Sequence, residues 1–547
     1  MHKKIYALTL LSTIVLSLII TNSVFSSDFK WTKIYDANYR EEPISVQQTS
    51  DGGYVIIGTI QAGDKFSVWF IKTDSFGDTL WTKKVGDGEF SWIPQVKPVI
   101  DGGYIIVGFT SFESRWLALV VRIDESLKIL WKKVYGEAER NWLYEVQQTS
   151  DGGIIMGGRT NYSAWIIKID GNGIVQWTKS YPSEYNAEVM FILETEDADY
   201  FVGANISEAI SLIKVNASGD SLWRKIYSIY HVHRIRFLQQ TLDGNYLTVG
   251  TAQWLQGYSD IWLFKTDING ITLWSKILHW KSGDDALPKF IRTTIDSGLI
   301  ILAGISGRYV FKGDWIIKTD TNGDTLWTKY IPSESWGTES LGKIETLSQT
   351  SDGGYILGGW KREFTGSSSD INYGRLIKTN NTGQILWDKR YDVNQFNNVT
   401  LCQQTPDGGF LLAGVTSKDK TNADILIIKT DASGNTEPPN TNISENAISS
   451  VSCNYYLSQN YPNPFNSSTE IRYSFPEGKS SYHVTLKIYD MWGRLVKTLV
   501  NQNQAAGTYS LRWNGRDMNG QEVSSGMYFY TLQADKFKAT NKMLLIH

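Results

Sequence analysis

The chain has 547 residues, 41% of them apolar, and its 53 basic and 56 acidic side chains leave a net charge of only −3. That balance excludes a polycationic nucleic-acid binder, and the apolar share excludes a disordered chain. Two cysteines and six histidines exclude a disulfide scaffold or a multi-thiolate metal cluster, while 48 glycines against 12 prolines, with 21 Trp, 29 Tyr and 21 Phe, point to an all-β chain with many tight turns.

Met1 to Lys4 are followed by an apolar run from Ile5 to Ile20 and then by small residues, with Val24 and Ser26 placed as the −3 and −1 positions of a cleavage site. The run is long for a signal core and short for a membrane span, and residues 1–26 are read as a secretory signal cut before Ser27. No other apolar stretch reaches spanning length, so no transmembrane segment is expected in the mature chain.

Internal repetition dominates residues 27–436. The tripeptide Asp-Gly-Gly begins at Asp51, Asp101, Asp151, Asp352 and Asp407, with degenerate copies at Asp197, Asp243 and Asp296. A second mark is an apolar strand with a cation two residues before a closing Asp or Asn, as in WFIKTD with Lys72 and Asp74; the other cations are Arg122, Lys168, Lys214, Lys265, Lys318, Lys378 and Lys429. A third mark is Trp-x-Lys, at Trp31, Trp81, Trp131, Trp177, Trp223, Trp274, Trp327 and Trp387. Each unit reads as four short strands: a first strand, an Asp-Gly-Gly turn, a second strand, a variable loop, a third strand, a D-x-x-G turn and a fourth, Trp-bearing strand. Asp-Gly turns supply the positive φ that tight hairpins need. The strands are apolar almost without alternation, which predicts burial on both faces.

Eight such units of about 50 residues meet the requirements of an eight-bladed β-propeller. The marks are offset. The chain opens on an orphan fourth strand at Trp31, and the last unit stops after its third strand at Asp431. The N-terminal strand is therefore expected to complete the last blade and close the ring. The D-x-x-G-x-x-x-W pattern (Asp74, Gly77, Trp81) resembles the repeat of quinoprotein-type eight-bladed propellers, and this resemblance implies shape. The second unit departs from it with Leu127 in place of Gly. The two cysteines are Cys402 and Cys453, not the adjacent pair that quinoprotein dehydrogenases carry at their cofactor, so no cofactor is expected.

A polar stretch with two prolines, residues 437–456, reads as a linker. Residues 457–547 then alternate in the manner of a small antiparallel Ig-like β-sandwich. The tract Asn460-Tyr461-Pro462-Asn463-Pro464-Phe465-Asn466 and the segment Gly526 to Tyr530, with Tyr528 at its centre, closely resemble the type A sorting domain of the type IX (Por) secretion system. The resemblance implies export through the type IX translocon and its sorting machinery. With the N-terminal signal it implies a bacterium with two membranes and a protein secreted to, or attached at, the outer surface by way of the periplasm.

Candidate chemistry is sparse. His231 and His233 have the spacing of one strand face but lack a nearby third ligand. The D-x-N-G turns at Asp170, Asp267 and Asp320 lack the spaced oxygens of a calcium loop, so turn chemistry accounts for them. The Trp-x-Lys marks fit a scaffold, the lysine stems covering apolar surface with their heads in water. The paired glutamines (Gln47-Gln48, Gln147-Gln148, Gln239-Gln240, Gln403-Gln404) fall in first strands and are expected to bond each other or channel water. Cys402 and Cys453 allow a disulfide in an oxidising compartment. No nucleophile elbow, phosphate loop or zinc motif is present, and no metal or catalytic residue is assigned.

Turns at one end of the strands are short and constant, whereas the loops between second and third strands and between units vary, and function in repeat folds sits on variable loops. Each inter-unit loop carries an aromatic residue: Tyr39, Trp92, Trp142, Tyr185, Tyr230, Trp280, Trp336 and Phe396. Trp92, Trp142, Trp280 and Trp336 are the candidate ligand-face residues of a module binding an extracellular glycan or protein. The alternative is a polysaccharide-acting hydrolase or lyase using acids such as Glu137, Glu139, Asp284 and Asp285.

Overall fold

The computed structural model describes residues 30–437 and 456–546, apart from residues 50, 185, 230–231, 255–256, 281–282, 308–309, 334, 337–338, 341, 364–370, 419–421, 458–459, 461–464, 467, 476–478, 480 and 536. The signal, Cys453, His231, and Tyr461 to Pro464 lie outside the described residues, as do the side chains of His233 and Trp336.

The described chain is all β. In the first unit Arg40–Gln48, Tyr54–Ala62, Lys65–Thr73 and Thr79–Phe90 pair in that order as an antiparallel four-stranded sheet, and the same order recurs through the following units. In the last unit Phe396–Gln404, Phe410–Ser417 and Asp424–Thr430 lack a following fourth strand, and Trp31–Tyr35 takes that place, with Trp31 opposite Lys429 and Tyr35 opposite Ile425. Thr32 donates to Glu437 O (2.8 Å), which binds the end of the repeats to the same strand.

Buried apolar clusters form between consecutive sheets, and a further cluster joins the last unit (Ile425, Ile427) to the first (Ile56, Trp69) through Trp31 and Tyr35. Twisted sheets stacked along this closed path make a β-propeller. Second and third strands are buried on both faces. The fourth strands differ from the sequence expectation: Val175–Tyr181 alternates exposed with half-buried residues, because no further strand lies outside it.

The repeat marks are explained by two contacts. In the first, the cation of each third strand pairs with the Asp of its own Asp-Gly-Gly turn: Lys72 Nζ lies 2.9 Å from Asp51, Lys168 2.9 Å from Asp151, Lys318 2.9 Å from Asp296 and Lys429 2.8 Å from Asp407. Gly52 sits at φ +83°, and a Cβ on Gly53 would lie 2.2 Å from Thr73 O and 2.9 Å from Lys72 Nζ. Asp, first Gly and second Gly thus serve an ion pair, a left-handed turn and a close approach. In the fourth unit the pairing acid is Asp199, 3.2 Å from Lys214, two residues beyond the expected Asp197. Ala198 holds the positive φ of 58° there.

The second contact joins units. Each Asp or Asn of the D-x-x-G turn caps its own turn, as where Asp170 Oδ1 accepts the Asn172 and Ile174 amides (2.9 and 2.8 Å). The turn's glycine then receives the aromatic rings of the preceding sheet's fourth strand. Trp31 Nε1 donates to Ser75 O (3.0 Å) and Tyr35 to Gly77 O (2.7 Å). Trp131 and Tyr135 repeat this on Gly171 and Gly173. Trp-x-Lys is therefore an inter-unit lock, and its lysines reach the next turn too, Lys33 to Asp78 at 2.5 Å. In the second unit Leu127 replaces the glycine at φ 59°, and the tryptophan that would dock on it, Trp81, is 44% exposed.

Two of the paired glutamines have partners other than those expected: Gln148 accepts the Ile100 amide (2.5 Å) and Gln404 the Ser351 amide (2.7 Å), each stapling a first strand to the preceding unit's turn, and the unpaired Gln349 does the same with the Ile295 amide (2.9 Å). Cys402 is a free, buried thiol donating to Ile356 O (3.6 Å), and burial pushes it up to about 12.

The C-terminal sandwich sets Tyr456–Leu457, Thr469–Phe475 and Gly507–Trp513 against Leu495–Gln504, Tyr482–Asp490, Gly526–Ala534 and Phe537–Leu545. Its core holds Phe465, Trp513, Tyr528 and Tyr530. Asn460 is buried, its amide donating to the Tyr530 hydroxyl (2.7 Å) and its side chain to Thr469 (2.8 Å). The described residues of the Asn460–Asn466 tract thus include two that build the sandwich, Asn460 and Phe465.

Candidate ligand-binding face

Hairpin topology puts the loops between second and third strands at the same end as the inter-unit connections. At the second and third units that end carries a cluster of rings. Trp92 stands opposite Phe109 in the strand register, and Trp142 opposite Arg159. Phe109 lies at the centre, with its centroid 5.7 Å from Trp92, 5.2 Å from Trp116 and 6.0 Å from Trp142. Trp116 begins at the far side of a tight hairpin whose turn residues Glu113 and Ser114 both have positive φ (45° and 67°). The Arg159 guanidinium sits 3.7 Å from the Trp142 ring centroid, a cation–π stack.

Two rings of this cluster are open to solvent, Trp92 at 42% and Trp116 at 36%. Beneath them, Trp142 Nε1 and Arg159 Nε are buried without a hydrogen-bond partner. Large exposed rings form a surface that can accept a flat apolar face.

The other candidates fare differently. Trp280 packs against Trp315 (5.1 Å) and Tyr330 (4.9 Å) and belongs to the core between the fifth and sixth units. Tyr39 is exposed, and Tyr185 and Tyr230 lie outside the described residues. Of the acids, Asp284 pairs with Lys312 (2.7 Å) and Asp285 accepts the Ser259 amide (2.7 Å), so both are committed to structure. Glu137 and Glu139 precede the third unit's first strand, and Glu139 O accepts the Trp116 amide (2.7 Å). Phe109, Trp116 and Arg159 were not marked by the sequence reading, since they sit inside hairpins rather than in inter-unit loops.

A histidine also stands on this end of the fifth unit. His279 Nδ1 is 2.7 Å from Oδ2 of the buried Asp260, and Trp254 Nε1 donates to the same oxygen (2.6 Å). Asp260 fixes the ring while the His279 side chain remains 56% exposed, the geometry of an oriented imidazole.

Residues 465–537 match the family model of the FlgD Ig-like domain. The C-terminal domain is Ig-like, and the chain as a whole is a β-propeller followed by that domain. Among solved structures, the chain is similar to PorZ, a bacterial surface component of the type IX secretion system of Porphyromonas gingivalis, at 12% identity over 92% of this chain and 81% of that one, with a TM-score of 0.30. It is also similar to a protein of unknown function from Dyadobacter fermentans (11% identity, 73% and 97% covered, TM-score 0.34) and to the polysaccharide lyase Uly1 (8% identity, 62% and 90% covered, TM-score 0.38). No curated protein matches the chain.

Proposed function

We propose that this is a bacterial protein exported by the type IX secretion system, secreted or held at the outer surface, whose eight-bladed propeller binds an extracellular glycan or protein ligand. The observation that carries the binding role is the cluster of Trp92, Phe109, Trp116 and Trp142 with Arg159, in which Trp92 and Trp116 are exposed. Sugar rings and protein side chains both offer the flat apolar face it fits. The export role is supported by the resemblance of the Asn460–Asn466 and Gly526–Tyr530 segments to the type IX sorting domain. The domain boundaries follow: signal 1–26, propeller 27–436, linker 437–456, sorting domain 457–547.

Two experiments test this reading. Glycan-array and pull-down binding of the exported protein should be lost in Trp92→Ala and Trp116→Ala with the circular-dichroism spectrum unchanged; retained binding in both removes the assignment of this face. Deleting residues 457–547 should leave the protein in the periplasm, and normal surface delivery of the truncated chain refutes the export role. A second reading, an enzyme acting on polysaccharide, rests on His279 held by Asp260 as a general base. Glycan turnover abolished by His279→Ala would favour it over a binding module.

A further inference from the structure

We propose that Asp36, Glu41 and Asp424 form a calcium site at the point where the ring closes. The three residues come from three elements. Asp36 follows the closing strand Trp31–Tyr35, Glu41 lies in the first strand Arg40–Gln48 of the first unit, and Asp424 opens the third strand Asp424–Thr430 of the last. One carboxylate oxygen from each lies within 4.8 Å of the other two. Carboxylates at such separation disfavour one another's charged form, and a cation among them relieves this.

An independent observation points the same way. Glu41 is 0% exposed, and while its Oε1 accepts the Tyr39 amide (2.9 Å), its Oε2 is buried with no partner. The equivalent place in two other units shows how the fold satisfies a polar side chain there. Six residues after the docking tyrosines Tyr135 and Tyr391 stand Asn141 and Asn397, and six after Tyr35 stands Glu41. Asn141 donates to Ala138 O (2.8 Å) and Trp116 O (3.3 Å), and its Oδ1 accepts the Thr160 hydroxyl (2.8 Å). Asn397 does the same with Asn394, Asn372 and Thr416. At the ring closure the amide has become a carboxylate, and the cross-strand threonine has become Ile60. Both changes remove hydrogen bonds that Asn141 and Asn397 make at their junctions. Together they leave a buried oxygen that only a cation, or a proton, would satisfy.

The donor set selects the cation. Three carboxylates without imidazole or thiolate suit a hard divalent ion, and calcium accepts irregular oxygen cages that complete themselves with carbonyls and water. Asn38, Tyr39 and Arg40, which link two of the ligands, line an open hollow of about 320 Å³ with Gln61, Gly63 and Asn422, so the segment is reached from solvent. An ion held there ties the closing strand to the last unit and to the first. Binding to the closed ring alone would raise its stability by mass action.

The test uses the purified full chain, stripped with chelator and titrated with calcium chloride, followed by calorimetric binding and thermal unfolding. One calcium per chain and a melting temperature that rises with calcium are expected. Asp36→Asn, at an exposed position, and Glu41→Gln should each weaken binding at least tenfold and flatten the rise. In chelator Glu41→Gln should melt no lower than the parent chain, because an amide at this place is what Asn141 and Asn397 provide. Asp170→Asn, in a D-x-N-G turn, should leave calcium binding unchanged. A calcium response that survives both ligand substitutions, no stoichiometric binding at millimolar calcium, or tighter binding of magnesium than calcium overturns the proposal.

Discussion

At the scale of single residues, stability rests on charges placed inside sheets. Lys168 is 1% exposed, and among the described residues Asp151 is its carboxylate partner, with Gln176 (3.1 Å) and Ile169 O (3.4 Å) as weaker support. Removing one partner of such a pair leaves an uncompensated buried charge, so Asp151→Ala should cost about 2–4 kcal/mol in urea unfolding, towards the low end because the neutral oxygens remain. Adding Lys168→Met to that variant should recover part of the loss, since a methionine leaves no charge to strand. The same pairs predict acid sensitivity. Partial burial raises the Asp352 carboxyl, but hydrogen bonds from Lys378 and Thr350 outweigh it and bring it down to about 2. A depressed acid stabilises the fold above its unfolded value, near 4, and the contribution is lost as pH falls from about 4 to about 2. Thermal melts over that window should show the parent chain losing stability more steeply than Asp352→Asn. The sequence displayed the cation at a fixed place in every unit and the acid at a fixed place in all but the fourth, where Asp199 pairs in place of Asp197, yet the pairing was not legible as such, because the cation and its turn belong to different strands.

At the scale of the element, each unit is defined by how its turns receive the previous one. Gly323 has φ +76°, and a Cβ there would lie 2.7 Å from the Trp274 ring; Gly152 has φ +78° with nothing within 4 Å. Gly152→Ala should cost about 1 kcal/mol for the left-handed backbone alone, and Gly323→Ala should cost at least about 1 kcal/mol more because the indole must also move. Equal losses in parallel denaturant titrations would show that the indole does not rest on the glycine. Trp81 provides the converse case. With Leu127 blocking its dock it stays exposed, so Trp81→Ala should change stability by no more than about 1 kcal/mol, whereas Trp31→Ala, which removes a buried ring, should cost about 3–5 kcal/mol. The departure at Leu127 was plain in the sequence. Its effect on Trp81 was not, since the two residues meet only when consecutive units stack. The same limit governed the candidate face. An aromatic residue in an inter-unit loop can be read from sequence, but Trp92 is exposed and Trp280 packed because of what the neighbouring hairpins place beside them, Phe109 in one case and Trp315 with Tyr330 in the other.

At the scale of the molecule, the strand offset legible in the sequence has a physical purpose. Without Trp31–Tyr35 the strand Asp424–Thr430 would be a bare, apolar edge, and the rings of Trp31 and Tyr35 would be missing from the core between the last and first units. Exposed apolar edges pair with other chains. The closing strand is also held by side-chain locks: Trp31 and Tyr35 into the first unit's turn, Lys33 onto Asp78, and Thr32 to Glu437 beyond the last unit. Deleting residues 30–36 should therefore do more than lower stability. The remaining sheets keep their own pairings, so circular dichroism should still report β-structure, while light scattering with size-exclusion chromatography should show dimers or larger species formed through the uncovered edge. A synthetic peptide carrying residues 27–38 should restore the size of the parent species, because it supplies both the hydrogen-bonded edge and the two rings. If the shortened chain kept the parent's size and melted like it, the strand would be an accessory to a ring already closed by packing alone.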